Sequence, residues 1–331
     1  MTATHEKPEM VKEHFESISR ELAKVIVGQK TLIKDLFICL LCGGHALIEG
    51  VPGLGKTLTV KTLSRILDLK YSRIQFTPDL MPADILGTNI VNQDDKGNRY
   101  FEFYRGPIFG QVILADEINR ASPKTQSAML EAMQEERVTV FGAEYLLEPP
   151  FIVLATQNPL EMEGTYPLPE AQIDRFFFKL KVEYPTPQEL GEILEKTTEH
   201  YQPELQTVLH AEQILEMKKM VKQVPIASHV KEYAIRIILA THPANEWAAD
   251  KTKQFVRYGA SPRAVQALVM AGKVLALLKG RYNVAFEDIR EAAKPTLRHR
   301  IIMNLKGEAE GIDVDDIVEE ILVKVTGELG K

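Results

Sequence analysis

The segment Gly50-Val51-Pro52-Gly53-Leu54-Gly55-Lys56-Thr57 constrains this chain most, because it fits the pattern G-x-x-x-x-G-K-T. An apolar run, Ala46-Leu47-Ile48, leads in, and a helix-like stretch from Thr57 to Leu67 leads out. Strand, glycine loop and helix in that order make a phosphate cradle. Glycine lets the backbone turn tightly enough for successive N–H groups to face the β- and γ-phosphates. The following helix aims its partially positive end at the same place. In this reading Lys56 reaches the β/γ-phosphates and the Thr57 hydroxyl ligates Mg²⁺. The expected contact segment runs through Val51, Pro52, Gly53, Leu54, Gly55, Lys56, Thr57 and Leu58. The rival is a glycine-rich surface turn followed by an ordinary lysine; the flanks and the acids downstream argue against it.

At 331 residues the chain has room for one large domain or two medium ones, each burying its own core. Hydrophobic residues make up 45% and charged residues 26%, an ordinary balance for a soluble globular protein. No run approaches the roughly 18 apolar residues of a membrane helix. Met1 to Arg20 is charged and mixed, without secretory or transit design, so the expected compartment is the cytoplasm. The net charge of −6 argues mildly against a nucleic-acid surface. Cys39 and Cys42 are spaced C-x-x-C inside Leu36-Phe37-Ile38-Cys39-Leu40-Leu41-Cys42. A zinc or redox role would need a partner pair or an exposed turn, so two small hydrophobes on a buried helix fit better.

Short apolar runs recur between His45 and Tyr184: Ala46–Ile48, Arg73–Phe76, Val112–Ala115, Phe151–Ala155 and Phe177–Val182. Val112–Ala115 and Phe151–Ala155 are apolar at every position. That belongs to strands covered on both faces, as in a parallel sheet between helices. Two hairpins interrupt the pattern. Thr88–Val91 and Tyr100–Phe103 flank the polar turn Asp94–Asn98, and Val138–Phe141 and Glu144–Leu147 flank Gly142-Ala143. After Tyr184-Pro185-Thr186-Pro187 the chain turns to helical periods without a further convincing strand. Ser261-Pro262 there is a strong helix start, serine at the N-cap and proline at the first helical position. The expected division is residues 1–185 as an α/β nucleotide-binding domain and 186–331 as a helical lid domain.

Val112-Ile113-Leu114-Ala115 ends in Asp116-Glu117, about 60 residues past Lys56. Phosphoryl transfer needs a carboxylate for the Mg²⁺ shell and a group that orients water. Asp116 suits the first task and Glu117 the second. The strand Phe151–Ala155 ends in Thr156-Gln157-Asn158-Pro159. Polar groups at the carboxyl end of a parallel strand face the ligand crevice, so Asn158 can serve the γ-phosphate and the attacking water. Read alone, Asn-Pro is more readily a turn device; beside the glycine loop the site reading prevails.

Taken together these segments resemble a AAA+ ATPase of the MoxR family. The resemblance rests on Gly50–Thr57, Ala115-Asp116-Glu117-Ile118-Asn119-Arg120-Ala121, Ala155–Pro159, Ala171-Gln172-Ile173-Asp174-Arg175-Phe176 and Ser261-Pro262-Arg263. It covers about residues 25 to 305. It implies five parallel strands with two inserted hairpins, a helical lid, and ATP between them at the edge of a neighbouring subunit. It makes Asn158 the first sensor, Arg263 the second and Arg175 an arginine finger, with Val27 and Gly28 in the segment Val25–Gln29 against adenine. Arg120 is a further interface candidate. By residue type alone, Asp174-Arg175-Phe176 is as readily a structural ion pair beside a core aromatic; in the catalytic reading Asp174 holds the Arg175 side chain. Arg263 in a first helical turn is disfavoured by the helix dipole unless an anion lies nearby.

The resulting expectation is an Mg²⁺-dependent ATPase, assembled as a homo-oligomeric, hexameric ring, that remodels or matures a partner protein. The resemblance implies partners with a von Willebrand factor A domain. Three alternatives remain: a nucleic-acid-dependent motor, which the acidic balance disfavours, a chelatase-like subunit, and a nucleotide-dependent scaffold. A GTPase would need an N-K-x-D segment, which the first domain lacks.

Overall fold

The computed structural model describes residues 3–159, 164–198 and 203–329. Its centre is a five-stranded parallel sheet. The chain-order strands are β1 (Ala46–Glu49), β2 (Tyr71–Gln75), β3 (Gly87–Gln93), β4 (Arg99–Arg105), β5 (Val112–Asp116), β6 (Arg137–Val140), β7 (Ala143–Leu146), β8 (Ile152–Gln157) and β9 (Phe178–Lys181). The sheet order is β2-β5-β8-β1-β9. Successive side chains point to opposite faces of a strand, and both faces are covered here. Ile48, Leu114 and Leu154 join one buried cluster, while Leu47, Ile113 and Val153 join the other. Every position of β5 before Asp116 must therefore be apolar, as the continuous run predicts.

The first cluster is larger because helices Ala3–Ala23, Lys30–Cys42 and Lys56–Ile66 share that face with the helices of the second half. Lys30–Cys42 is the buried helix expected around the C-x-x-C spacing: Leu36 to Leu41 are all buried. Burial pushes both thiols up from their ordinary value, so they stay protonated packing groups.

β3 and β4 pair from Gly87↔Arg105 to Gln93↔Arg99, and β6 pairs with β7 from Arg137↔Leu146 to Val140↔Ala143. The second turn is Phe141-Gly142, one residue earlier than Gly142-Ala143. Both turn residues have positive φ, 50° and 82°, the twist-matched geometry of a two-residue hairpin loop, and glycine takes the second place. Phe103 stacks on Tyr145 at 4.2 Å between ring centres, so the hairpins lean on one another.

Beyond β9 the structure is mostly helical. Pro187–Thr198, Ala211–Gln223, Ser228–Ala240, Pro262–Leu278, Phe286–Leu297 and Val314–Leu329 match the helical periods. The expectation of no further strand is corrected by a short antiparallel ribbon, β10 (Val256–Tyr258) with β11 (Ile302–Met303). Pieces of three and two residues carry too little periodicity to read. Ser261 caps its helix by accepting from the Arg263 N–H.

His45, just before β1, is buried and bonded at both nitrogens: Nδ1 accepts from the Val153 N–H at 3.0 Å, and Nε2 donates to the Met133 carbonyl at 2.9 Å. Burial pushes its imidazole down to about 4. Its folded value lies below the unfolded one of about 6.5, so the unfolded chain binds the extra proton first. The stabilisation is complete above about pH 6.5 and is lost as pH falls towards 4. His45→Leu leaves the Val153 N–H without its partner and should cost about 1–3 kcal/mol in urea unfolding at pH 8. The variant should also lose less stability than the parent between pH 7 and 4.5; equal pH slopes would exclude His45 as the titrating group.

Candidate active site

The loop after β1 has the shape its glycines predict. Gly53 and Gly55 take φ of 86° and 74°, and a Cβ on either would meet no atom within 4 Å, so the loop's mouth is open. Lys56 and Thr57 open the Lys56–Ile66 helix. Lys56 donates its ammonium to the Gly50 carbonyl. Burial pushes Lys56 down from its ordinary value, and Asp116 and Glu117 oppose that shift. Pro52, Gly53 and Leu58 are exposed, Val51, Gly55, Lys56 and Thr57 half-buried, and Leu54 is buried. The Leu54 carbonyl accepts from Gln29 Nε2 at 2.7 Å, and Thr59 Oγ1 donates to Gln29 Oε1 at 3.2 Å. Gln29 thus ties the loop to Val27 and Gly28. Those two line a cavity of about 620 Å³ with Ile26, Lys30, Thr186 and Glu189, a size within the range of small-molecule sites.

The acids stand at the same end of the sheet. Gln75 pairs with Asp116 in the β2–β5 register, and Glu49 with Gln157 in β1–β8. Thr156 Oγ1 donates to Asp116 Oδ1 at 2.6 Å and accepts from the Glu117 N–H at 2.8 Å. Glu117 takes a left-handed backbone, φ 57° and ψ 50°. Its carboxylate accepts from Gln75 Nε2 and Arg120 Nη1, both at 3.0 Å. Arg73 reaches Asp116 Oδ2 through Nη2 at 2.7 Å and Nε at 3.2 Å. Asn158 is buried one residue beyond β8, at this same edge. The structure therefore brings together Lys56, Thr57, Asp116, Glu117 and Asn158.

It does not bring Arg175 and Arg263 to them. Ala46 pairs with Phe178, so the residues before β9 lie at the amino edge of the sheet, while the glycine loop leaves the carboxyl edge. The four residues of β1 alone separate the two edges by about 10 Å. Arg175 is exposed there and donates to the Leu130 carbonyl at 3.4 Å. Arg263 Nη1 donates to Asp174 Oδ2 at 3.2 Å, which is the anion its first-turn position requires. The reading that Asp174 steadies Arg175 is corrected. Asp174 instead accepts from Ser261 Oγ at 2.9 and 3.0 Å, from Arg263, and from Arg300 Nε at 2.9 Å. All three partners come from the helical half, so Asp174 serves as its anchor. Arg175 and Arg263 still share a small cavity with His45 and Gln134.

Sequence reading missed Arg73, Gln75 and Arg300, gave Thr156 no role, and placed Gln29 in the adenine segment without its tie to the glycine loop. A polar strand end beside the acid-bearing strand is a signal for Gln75. The other contacts depend on tertiary register. Among the described residues no group of three or more His, Cys, Asp or Glu side chains is arranged to hold a metal by itself. A divalent ion here would need phosphate oxygens as co-ligands.

A glycine loop after β1, acids at the end of β5 two strands away and the polar end of β8 between them define a P-loop ATPase of the AAA+ class. Comparison with known proteins agrees. Residues 45–178 match the ATPase family associated with various cellular activities (AAA), and residues 248–321 match the AAA lid domain. The chain is 40% identical over 305 residues to Chaperone MoxR1 of Mycobacterium tuberculosis, covering 92% of this chain and 80% of that protein. It is 30% identical over 311 residues to Protein MoxR of Paracoccus denitrificans, covering 88% and 89%. A crystal structure of a candidate ATPase from Cytophaga hutchinsonii superposes with a TM-score of 0.90 at 44% identity, covering 97% of each chain. This chain belongs to the MoxR family of AAA+ ATPases.

Thr156→Val keeps the side chain's shape but leaves the Glu117 N–H and Asp116 Oδ1 without their shared hydroxyl. The expected loss is about 1–3 kcal/mol in denaturant unfolding together with reduced ATP turnover. A variant as stable and as active as the parent would mean the hydroxyl does not organise the acids.

Proposed function

We propose that this chain hydrolyses ATP with Mg²⁺ at sites completed between neighbouring protomers of a hexameric ring, and that turnover remodels or matures a partner protein. One observation carries the reading: the phosphate cradle and the two arginines stand at opposite edges of one sheet. An arginine at the edge away from its own cradle supports delivery to a neighbour's. A head-to-tail contact that presents one edge to the other generates a ring when its rotation closes.

The glycine loop would hold the phosphates through its N–H groups and Lys56, and Val27 and Gly28 would border the base. Thr57 and Asp116 would hold Mg²⁺, which supplies charge neutralisation on the phosphate oxygens. Glu117 orients the attacking water and takes its proton on a carboxylate oxygen, with Asn158 as the second contact to that water. The neighbour's Arg175, with Arg263 beside it, meets charge spreading over the transferred phosphoryl group. Such a guanidinium is worth about 10³–10⁵ in rate. The chaperone-like role draws on the name of the mycobacterial relative, and the von Willebrand factor A partner class on the family resemblance. Among the described residues no helix is long and apolar enough to cross a membrane.

Two dead variants test the shared site. Lys56→Ala removes a protomer's own cradle but keeps its arginines; Arg175→Ala does the reverse and should retain ATP binding. Each alone should lose nearly all turnover. Rings assembled from both, after co-expression, should regain a measurable fraction, because some cradles then face an intact arginine. Mixed rings no more active than either parent would overturn delivery from the neighbour.

A further inference from the structure

We infer that Arg73 is a tethered counter-cation of Asp116, which competes with the divalent ion and so sets how much Mg²⁺ the site requires. The inference rests on the reading of Asp116 as a metal-shell carboxylate. Both oxygens of that carboxylate are already engaged by the protein's own donors. Oδ1 accepts from Thr156 Oγ1 at 2.6 Å, and Oδ2 takes two donors of one guanidinium, Nη2 at 2.7 Å and Nε at 3.2 Å. Arg73 is not a stray surface side chain at that point. It belongs to β2, pairs with Leu114 of β5, and gives Nη2 also to Gln75 Oε1 at 2.7 Å, which fixes where the guanidinium sits.

The exposures say which partner yields. The Arg73 side chain is 48% exposed and that of Asp116 13% exposed, so the arginine can leave for solvent while the carboxylate stays. An ion pair this open contributes about 0.2–1 kcal/mol. A dication brings twice the charge of a guanidinium, so it prevails when nucleotide supplies its other ligands, and like charges drive the arginine off. Before that, Arg73 neutralises an acid that stands beside Glu117 at the mouth of an anion cradle. The arginine thus lowers divalent affinity without weakening phosphate binding. A merely structural pair would contribute to folding stability and leave the metal requirement alone.

The test titrates Mn²⁺ by electron paramagnetic resonance into the full-length protein with a non-hydrolysable ATP analogue, comparing Arg73→Ala and Arg73→Lys with the parent. Arg73→Ala should reach half-saturation at lower Mn²⁺, by up to about fivefold, the upper concentration ratio equivalent to an exposed ion pair. Arg73→Lys, which keeps the charge but not the two-donor fork, should fall between. Affinity for the analogue in EDTA should not rise in either variant, so a lower Mn²⁺ requirement reports the metal and not the nucleotide, and the Arg73→Ala gap should narrow as KCl rises. Should Arg73→Ala unfold, the lysine variant alone decides, by a lower Mn²⁺ requirement than the parent's. An equal or higher Mn²⁺ requirement in the folded variants, with the parent binding normally, would overturn the competition. A parent protein that takes up no Mn²⁺ with nucleotide would instead overturn the assignment of the site.

Discussion

The arrangement of this molecule depends on one nearly dry ion pair, Asp174 with Arg300. The Arg300 side chain is 3% exposed, and its donors go to Asp174 Oδ1 and to the carbonyls of Asp174, Phe176, Phe177 and Thr296. Burial pushes this guanidinium down from its ordinary value while Asp174 opposes the shift. A buried charge is tolerable only when paired and fully hydrogen-bonded, and this one is. The pair joins the turn before β9 to the end of helix Phe286–Leu297. Ser261 and Arg263 close on the same carboxylate from the start of another helix, so two helices of the second half converge at the amino edge of the sheet. Arg175 stands outward on the turn thus fixed.

The opposite edge is organised by a different economy. One hydroxyl, Thr156 Oγ1, serves two neighbours, and three side chains of β2 and the turn after β5 hold the two acids in separate grips. Parallel register makes this possible: β2, β5, β8 and β1 end together, so side chains from distant parts of the chain meet over a few ångströms. The left-handed backbone at Glu117 turns the chain off the strand immediately after the acids. Strained backbone of that kind clusters at functional sites.

Much of this was legible because it is local. A glycine loop between a strand and a helix, continuous apolar strands and a strand ending in acids all declare themselves within ten or so residues. The hairpins did too, apart from a turn whose φ > 0 falls on Phe141, a residue that does not advertise a left-handed conformation. What could not be read is what depends on register and docking. Asp174-Arg175 looks like a neighbouring pair, yet the carboxylate is claimed by residues 87 and more positions away. Arg73 carries no signature until β2 lies beside β5. Arg263 announced only that it wanted an anion, and the fold decided which one.

Residue 185 separates a sheet from helices, but not two cores. The helix Ala3–Ala23 buries Val11, Ile18 and Leu22 in the same cluster as Ala264, Leu268 and Leu275, hundreds of positions later in the chain. Cutting where composition changes would therefore strip an apolar stripe bare on the amino-terminal fragment. Helix Ala3–Ala23 is a clasp closed by helix Pro262–Leu278, and a workable truncation has to leave both parts of that clasp in place.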